Sequence, residues 1–139
     1  MKLFTLGYGG RSREEVLALL AAHGVRTVVD VRLRPDRASM GVWVRAKSAD
    51  KGIEAWLGAA GIGYSSVVEL GNLFLELPDW RERYQSLLEA SGELLTRRLA
   101  DVRGPICLLC AEKRADQCHR QLVADWLARH AGADVEHLP

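Results

Sequence analysis

A chain of 139 residues, 48% hydrophobic and 27% charged, has the composition of a folded globular protein, not of a disordered or fibrous one. Its formal net charge of +1 gives no global field that would draw it to nucleic acid or to a membrane surface. The longest apolar stretches, Val16–Ala22 and Ile106–Ala111, are far too short to span a bilayer.

Lys2–Gly7 reads as a short buried strand that ends in the turn Gly7-Tyr8-Gly9-Gly10. Ser12-Arg13-Glu14-Glu15 then has the form of a capping box. It opens a helix with Val16, Leu19, Leu20 and His23 along one side and a stop at Gly24. Val25–Val31, rich in β-branched residues, predicts a strand inside a sheet. Leu33 to Lys51 has no sustained period and reads as a long loop, either a mobile anion-gripping lid or a solvated connection. Ile53, Trp56, Leu57 and Ala60 follow helical spacing, and Gly63–Val68 predicts a third strand. Pro78-Asp79-Trp80 starts a further helix, with Ser91-Gly92 as an interruption within it. Ile106–Ala111 is the most strand-like run in the chain. A last helix opening near Asp116 and an edge strand over Ala133–Leu138 complete the order. Strand, helix, strand in repetition predicts one three-layer α/β domain over residues 1–139. Its sheet would hold about five mostly parallel strands, with helices on both faces.

In such sheets the loops at the carboxyl ends of the strands share a rim where ligands bind. The unusual polar residues fall there. The first strand delivers Gly7, Tyr8, Gly9, Gly10 and Arg11, and the second delivers Asp30 and Arg32. Glu69, Leu70, Gly71 and Asn72 follow the third. After the fourth come Cys110, Glu112, Lys113, Cys118, His119 and Arg120.

The stretch Cys110–Arg120 supports three readings. With a helix beginning near Asp116, Cys118 would be a nucleophile activated by the helix end and Arg120, and His119 or Glu112 would carry protons. Alternatively Arg120, Arg32 and the helix amides form an anion cradle. The third reading is structural: Cys118 packs as a small apolar residue, and Arg120 pairs with Asp30 or Glu112. Cys107 and Cys110 have the gap of a zinc knuckle, but an odd separation on a strand points them to opposite faces; a site using Cys110, Cys118 and His119 alone stays open, and no metal is assigned. A phosphatase pattern fails too, because Asp116 stands where that loop needs arginine. Three cysteines make no disulfide framework, and Met1-Lys2-Leu3 begins no apolar leader, so the expected compartment is the reducing cytoplasm. His23, His130 and His137 lie at element ends and read as cappers or core histidines.

Gly7-Tyr8-Gly9-Gly10 lets backbone approach a ligand closely, yet Ser12 stands where a dinucleotide fingerprint has its third glycine. A tight turn needing positive φ accounts for it equally. Between Arg26 and Lys51 seven basic residues face three acidic ones, with Trp43 among them, which suits a nucleotide or a single nucleic acid strand.

Thr5-Leu6-Gly7-Tyr8-Gly9, Val29-Asp30-Val31-Arg32, Glu69-Leu70-Gly71, Cys110-Ala111-Glu112 and Cys118-His119-Arg120, in this order, resemble the bacterial and archaeal family called domain of unknown function 488. The chain departs from that family at Arg114-Ala115, where Asp-Pro is commoner. The resemblance implies the fold and the weight of these positions, and no reaction.

The residues together predict a polar pocket at the carboxyl ends of the strands, holding a small anionic or nucleotide-like ligand. Gly7, Tyr8, Gly9, Asp30, Arg32 and Arg120 would bind it, and Cys118, His119 and Glu112 would supply any chemistry. No cofactor or oligomeric state is indicated. The alternative is a noncatalytic nucleic-acid-binding or interaction module that works through the basic 32–51 loop.

Overall fold

The computed structural model describes residues 1–38 and 40–139. Among them are the strands β1 (Lys2–Gly7), β2 (Thr27–Asp30), β3 (Gly63–Ser66), β4 (Ile106–Cys110) and β5 (Asp134–His137). The helices are α1 (Arg13–Ala22), α2 (Gly52–Ala59), α3 (Trp80–Leu95) and α4 (Arg120–Ala131). The strands form one all-parallel sheet in the order β3-β2-β4-β1-β5.

Alternation along the strands sorts the core into two layers. Phe4, Leu6, Val28, Cys107 and Leu109 pack under α1 and α2 with Val16, Leu20, Ile53 and Leu57. On the other face Leu3, Val29, Ile106, Leu108 and Cys110 meet Tyr84, Leu88, Val123 and Leu127 of α3 and α4. Cys107 and Cys110 therefore lie on opposite faces of the sheet, as their odd separation requires.

β1 and β4 are neighbours whose following helices leave to opposite faces. The chain from β1 enters α1, and the chain from β4 runs to α4. The carboxyl end of such a switch point is where ligands bind in open α/β sheets, and here the chain after β1 stays bonded to the chain after β4, the Tyr8 amide donating to the Cys110 carbonyl at 3.0 Å.

Several boundaries differ from the sequence expectation, each for a local reason. β2 ends at Asp30 because the Asp30 carboxylate accepts the Arg32 amide at 3.1 Å and turns the chain. β3 stops at Ser66 and gives way to a 3₁₀ turn over Val68–Leu70, with the Leu70 amide bonded to Val67. The 33–51 segment holds two short 3₁₀ turns, Pro35–Arg37 and Gly41–Trp43. Its anchor is Trp43, 2% exposed, stacked on Tyr8 at 4.4 Å and edge-on to Trp56. The Trp56 indole also donates to the Val42 carbonyl at 2.7 Å. Trp43 is thus a core residue and presents no free ring. At the N-terminus of α1, the Ser12–Glu15 capping box forms as read.

α3 runs unbroken through Ser91-Gly92, where the sequence suggested an interruption. Gly92 is there for packing: a Cβ at this position would overlap the Trp126 indole of α4. Replacing a helical glycine by alanine ordinarily gains about 1 kcal/mol. Overpacking against a buried indole costs about 1–3 kcal/mol and outweighs that gain. Gly92→Ala is therefore expected to lower stability in urea unfolding, and pairing it with Trp126→Leu should restore part of the loss.

Candidate functional site

Residues after β1, β2, β3 and β4 line a cavity of about 560 Å³ at the carboxyl edge of the sheet. Tyr8 comes from the first loop, and Arg32, Leu33, Arg34, Arg37 and Ala38 from the second. Asn72, Leu73, Leu75 and Glu76 follow β3. Cys110, Ala111, Glu112, Gln117, Cys118 and His119 enclose the side nearest α4.

Asp30 is fully buried and fully satisfied. It accepts from Arg32 Nε at 2.8 Å and Nη2 at 2.6 Å, and from the Tyr64 hydroxyl at 2.6 Å. Arg32 Nη1 reaches on to the Tyr8 hydroxyl at 3.1 Å, and its guanidinium lies over the Tyr8 ring. Burial works against the charge on Arg32, but the hydrogen-bonded Asp30 carboxylate outweighs it and holds the guanidinium above its ordinary pKa. Tyr64 is pushed above its own ordinary range by burial, reinforced by Asp30. Arg32 thus reaches the cavity with its charge already paired.

Arg120 sits elsewhere. It is 0% exposed and does not line the cavity. The structural reading paired it with Asp30 or with the Glu112 side chain, and neither pairing occurs. Asp30 is occupied by Arg32. Arg120 donates instead from Nη1 to the Glu112 carbonyl and to Cys110 Sγ at 3.0 Å, from Nη2 to the Lys113 carbonyl at 3.0 Å, and from Nε to Thr5 Oγ1 at 3.3 Å. Burial lowers its pKa to about 10, which still leaves it charged at neutral pH. The Glu112 side chain is exposed at the cavity wall.

The last helix starts at Arg120, later than the Asp116 of the sequence reading. Ala115–Gln117 forms a separate 3₁₀ turn, Cys118 is extended, and His119 is the residue before the helix. Cys118 therefore lies outside the first turn, and its sulfur accepts the Arg120 amide at 3.4 Å. The odd cysteine count concealed a pair: the sulfurs of Cys110 and Cys118 meet in bonding range. Cys107 is alone and fully buried, which pushes its thiol up to about 12.

His119 Nε2 lies 2.9 Å from the Val31 carbonyl. A carbonyl only accepts, so Nε2 carries the proton, and Nδ1 turns a lone pair toward Cys118 Sγ at 3.6 Å. The ring packs edge-on against Tyr84.

Gly7 and Gly9 have a role the sequence left open. Neither has a positive φ; in this turn only Gly10 does, at 71°. A Cβ on Gly7 would run into the Glu112 carbonyl, and one on Gly9 would come within 2.7 Å of the Ala111 carbonyl. The close approach is made by the 111–113 loop of the protein itself, whose Ala111 carbonyl accepts the Gly9 amide at 2.9 Å.

Sequence reasoning missed Tyr64 and the lip formed by Leu33, Leu73 and Leu75, and it read Arg34 and Arg37 only within the basic 32–51 loop and not as part of the cavity. Leu73 and Leu75 are 68% and 63% exposed. Their signal was two leucines at alternate positions just past Gly71-Asn72, in a stretch without helical or strand spacing.

The model of the family described as Domain of unknown function DUF488 matches residues 12–127. The chain belongs to this family. Thr5–Gly9, one of the stretches that carried the resemblance, precedes the matched span. No curated protein and no solved structure matches the chain. Among the described residues no helix is long and apolar enough to cross a membrane, and no three His, Cys, Asp or Glu side chains are grouped as metal ligands.

Burial lowers the pKa of His119 from 6.5 to about 4, against the opposing effect of its bond to Val31. Between those values the unfolded chain takes up a proton that the folded one refuses. The stability from this group is complete above pH 6.5 and is lost as pH falls toward 4. From pH 7 to 4.5 wild type is expected to lose on the order of 2 kcal/mol more than His119→Asn in urea unfolding. Equal losses would show that His119 is protonated within the fold.

Proposed function

We propose that the cavity at the carboxyl ends of β1, β2, β3 and β4 binds a small ligand with an anionic group and an apolar or aromatic part, a nucleotide-like molecule being the type case. The observation that carries this reading is the pairing of an apolar lip with uncompensated cations. Arg34 and Arg37 stand at the mouth, exposed, and among the described residues no carboxylate forms an ion pair with either. Leu33, Leu73 and Leu75 form the lip beside them. A flat apolar group would lie against these leucines and Ala38, with its phosphate or carboxylate between Arg34 and Arg37. Tyr8 and Arg32, fixed by Asp30, shape the inner wall. Glu76 and Glu112 offer acceptors to a sugar hydroxyl or a ring N–H. Cys118 and His119, both buried, also line the cavity, and any chemistry on the ligand would fall to them.

A ligand series tests this. Nucleoside mono- and diphosphates should raise the Tm more than the parent nucleosides; a ligand at a hundred times its Kd stabilises by about 2.7 kcal/mol, a rise of several degrees in a chain this size. Arg34→Ala with Arg37→Ala should abolish the difference between phosphorylated and unphosphorylated compounds. Equal shifts for both classes, or a double variant that behaves as wild type, would overturn the proposal.

A second groove supports the noncatalytic alternative. Arg34, Arg45 and Lys47 line it, and it adjoins the first through Leu33 and Leu73. A single nucleic acid strand following these cations would bind with an affinity that falls as salt rises. Arg45→Ala with Lys47→Ala should then reduce the slope of log affinity against log salt by roughly 1–2, while Cys118→Ser leaves binding unchanged. Binding indifferent to salt would rule the strand out.

A further inference from the structure

Among the described residues, Arg120 is a buried cation with no carboxylate in hydrogen-bond range. Arg120 is wholly enclosed, and its partners are two carbonyls, one threonine hydroxyl and the sulfur of Cys110. A guanidinium withdrawn from water is strongly favoured by a negative charge at contact distance. Arg11, anchored by Nε to the Gly7 carbonyl at 3.0 Å, adds a second guanidinium to this region, and its Nη2 is buried without a partner. The atom placed to become the counter-ion is Cys110 Sγ, 3.0 Å from Arg120 Nη1. A thiolate there removes the imbalance, so the site favours the deprotonated sulfur.

The second sulfur is tuned differently. Cys118 Sγ faces the unprotonated Nδ1 of His119, a hydrogen-bond acceptor, and the two sulfurs touch. Both cysteines line the cavity, so a small oxidant reaches them from solvent. We propose that Cys110 and Cys118 form a redox-active dithiol that reduces hydroperoxides, with Cys110 as the attacking thiolate beside Arg120 and Cys118 as the resolving thiol. This assigns the nucleophile to Cys110, in place of the Cys118 that the sequence singled out. It goes beyond the ligand reading above and does not depend on it.

The steps balance. The Cys110 thiolate attacks the outer oxygen of a hydroperoxide, and a sulfur–oxygen bond forms as the oxygen–oxygen bond breaks. The departing alkoxide or hydroxide takes a proton from solvent, and Cys110 is left as a sulfenic acid. Arg120, in contact with the sulfur, stabilises the thiolate before attack. Cys118 then attacks the Cys110 sulfur, and its proton passes to the hydroxide that leaves the sulfenic acid. The disulfide forms, and the hydroxide departs as water. Two electrons pass from the sulfurs to the peroxide. Two equivalents of an external thiol return the pair to the dithiol.

The reduced protein is titrated with hydrogen peroxide and followed by intact mass. The expected product is 2 Da lighter, as loss of two hydrogens requires. Cys118→Ser should stop at a sulfenic acid on Cys110, trapped by dimedone, and Cys110→Ser should trap none. Iodoacetamide should label Cys110 with a midpoint at least one pH unit below the ordinary thiol value of about 8.5, while Cys107 stays unlabelled in the folded protein. Arg120→Lys, which keeps the charge, should hold that midpoint. Arg120→Gln should raise it and slow sulfenic acid formation roughly tenfold or more. Should Arg120→Gln not fold, the Cys118→Ser midpoint decides alone. An ordinary midpoint at Cys110, trapping on Cys118 instead, or a peroxide reaction no faster than that of free cysteine would overturn the proposal. The ligand reading is judged by the shift in Tm with nucleotides and this one by thiol oxidation, so the two fail separately.

Discussion

Arg120 carries a positive charge into a place that water does not reach, and three segments of chain are arranged around it. Its guanidinium touches Thr5 on β1, Cys110 at the end of β4 and the carbonyls of Glu112 and Lys113 in the loop beyond. Its own amide is bonded to the Cys118 sulfur, so the start of α4 is tied to the same point. The 111–113 loop is drawn down over the end of β1, and this close approach excludes a side chain at Gly7 and crowds one at Gly9. One buried donor fork therefore sets the floor on which the cavity stands.

The opposite wall rests on a second, self-sufficient charge. Asp30 and Arg32 satisfy each other, and Tyr64 and Tyr8 take the remaining positions. A buried pair of this kind is weak evidence for net stability, because desolvation offsets most of its attraction. Its value here is geometric: it fixes Tyr8 between the Arg32 guanidinium and the Trp43 ring. Of the arginines lining the cavity, Arg34 and Arg37 form no ion pair among the described residues.

The fold was legible because its signals are local. The capping box at Ser12, the β-branched run around Val28 and the apolar run from Ile106 each name an element without reference to anything distant. The sheet type alone places Tyr8, Arg32, Glu112, Cys118 and His119 at one rim, whereas Gly7, Gly9, Asp30 and Arg120 do not line the cavity. What the sequence hid depends on partners remote along the chain. Gly92 reads as a helix breaker until Trp126 is placed against it. Trp43 reads as a free ring on a basic loop until Tyr8 and Trp56 close on it. Arg120 reads as a ligand-binding residue because nothing in its neighbourhood of sequence tells that Asp30 is already occupied. The pairing of Cys110 with Cys118 needs the fold of the seven residues between them, and spacing alone does not supply it.

The placement of the four tryptophans has a practical side. Trp43 and Trp56 pack together under the α1–α2 face, and Trp43 lies flat against the ring of Tyr8, which itself borders the cavity. Trp80 and Trp126 belong to the layer on the far side of the sheet. Events at the mouth and events in the α3–α4 layer are thus optically segregated, and intrinsic fluorescence with Trp80 and Trp126 replaced would report occupancy of the crevice with no added label.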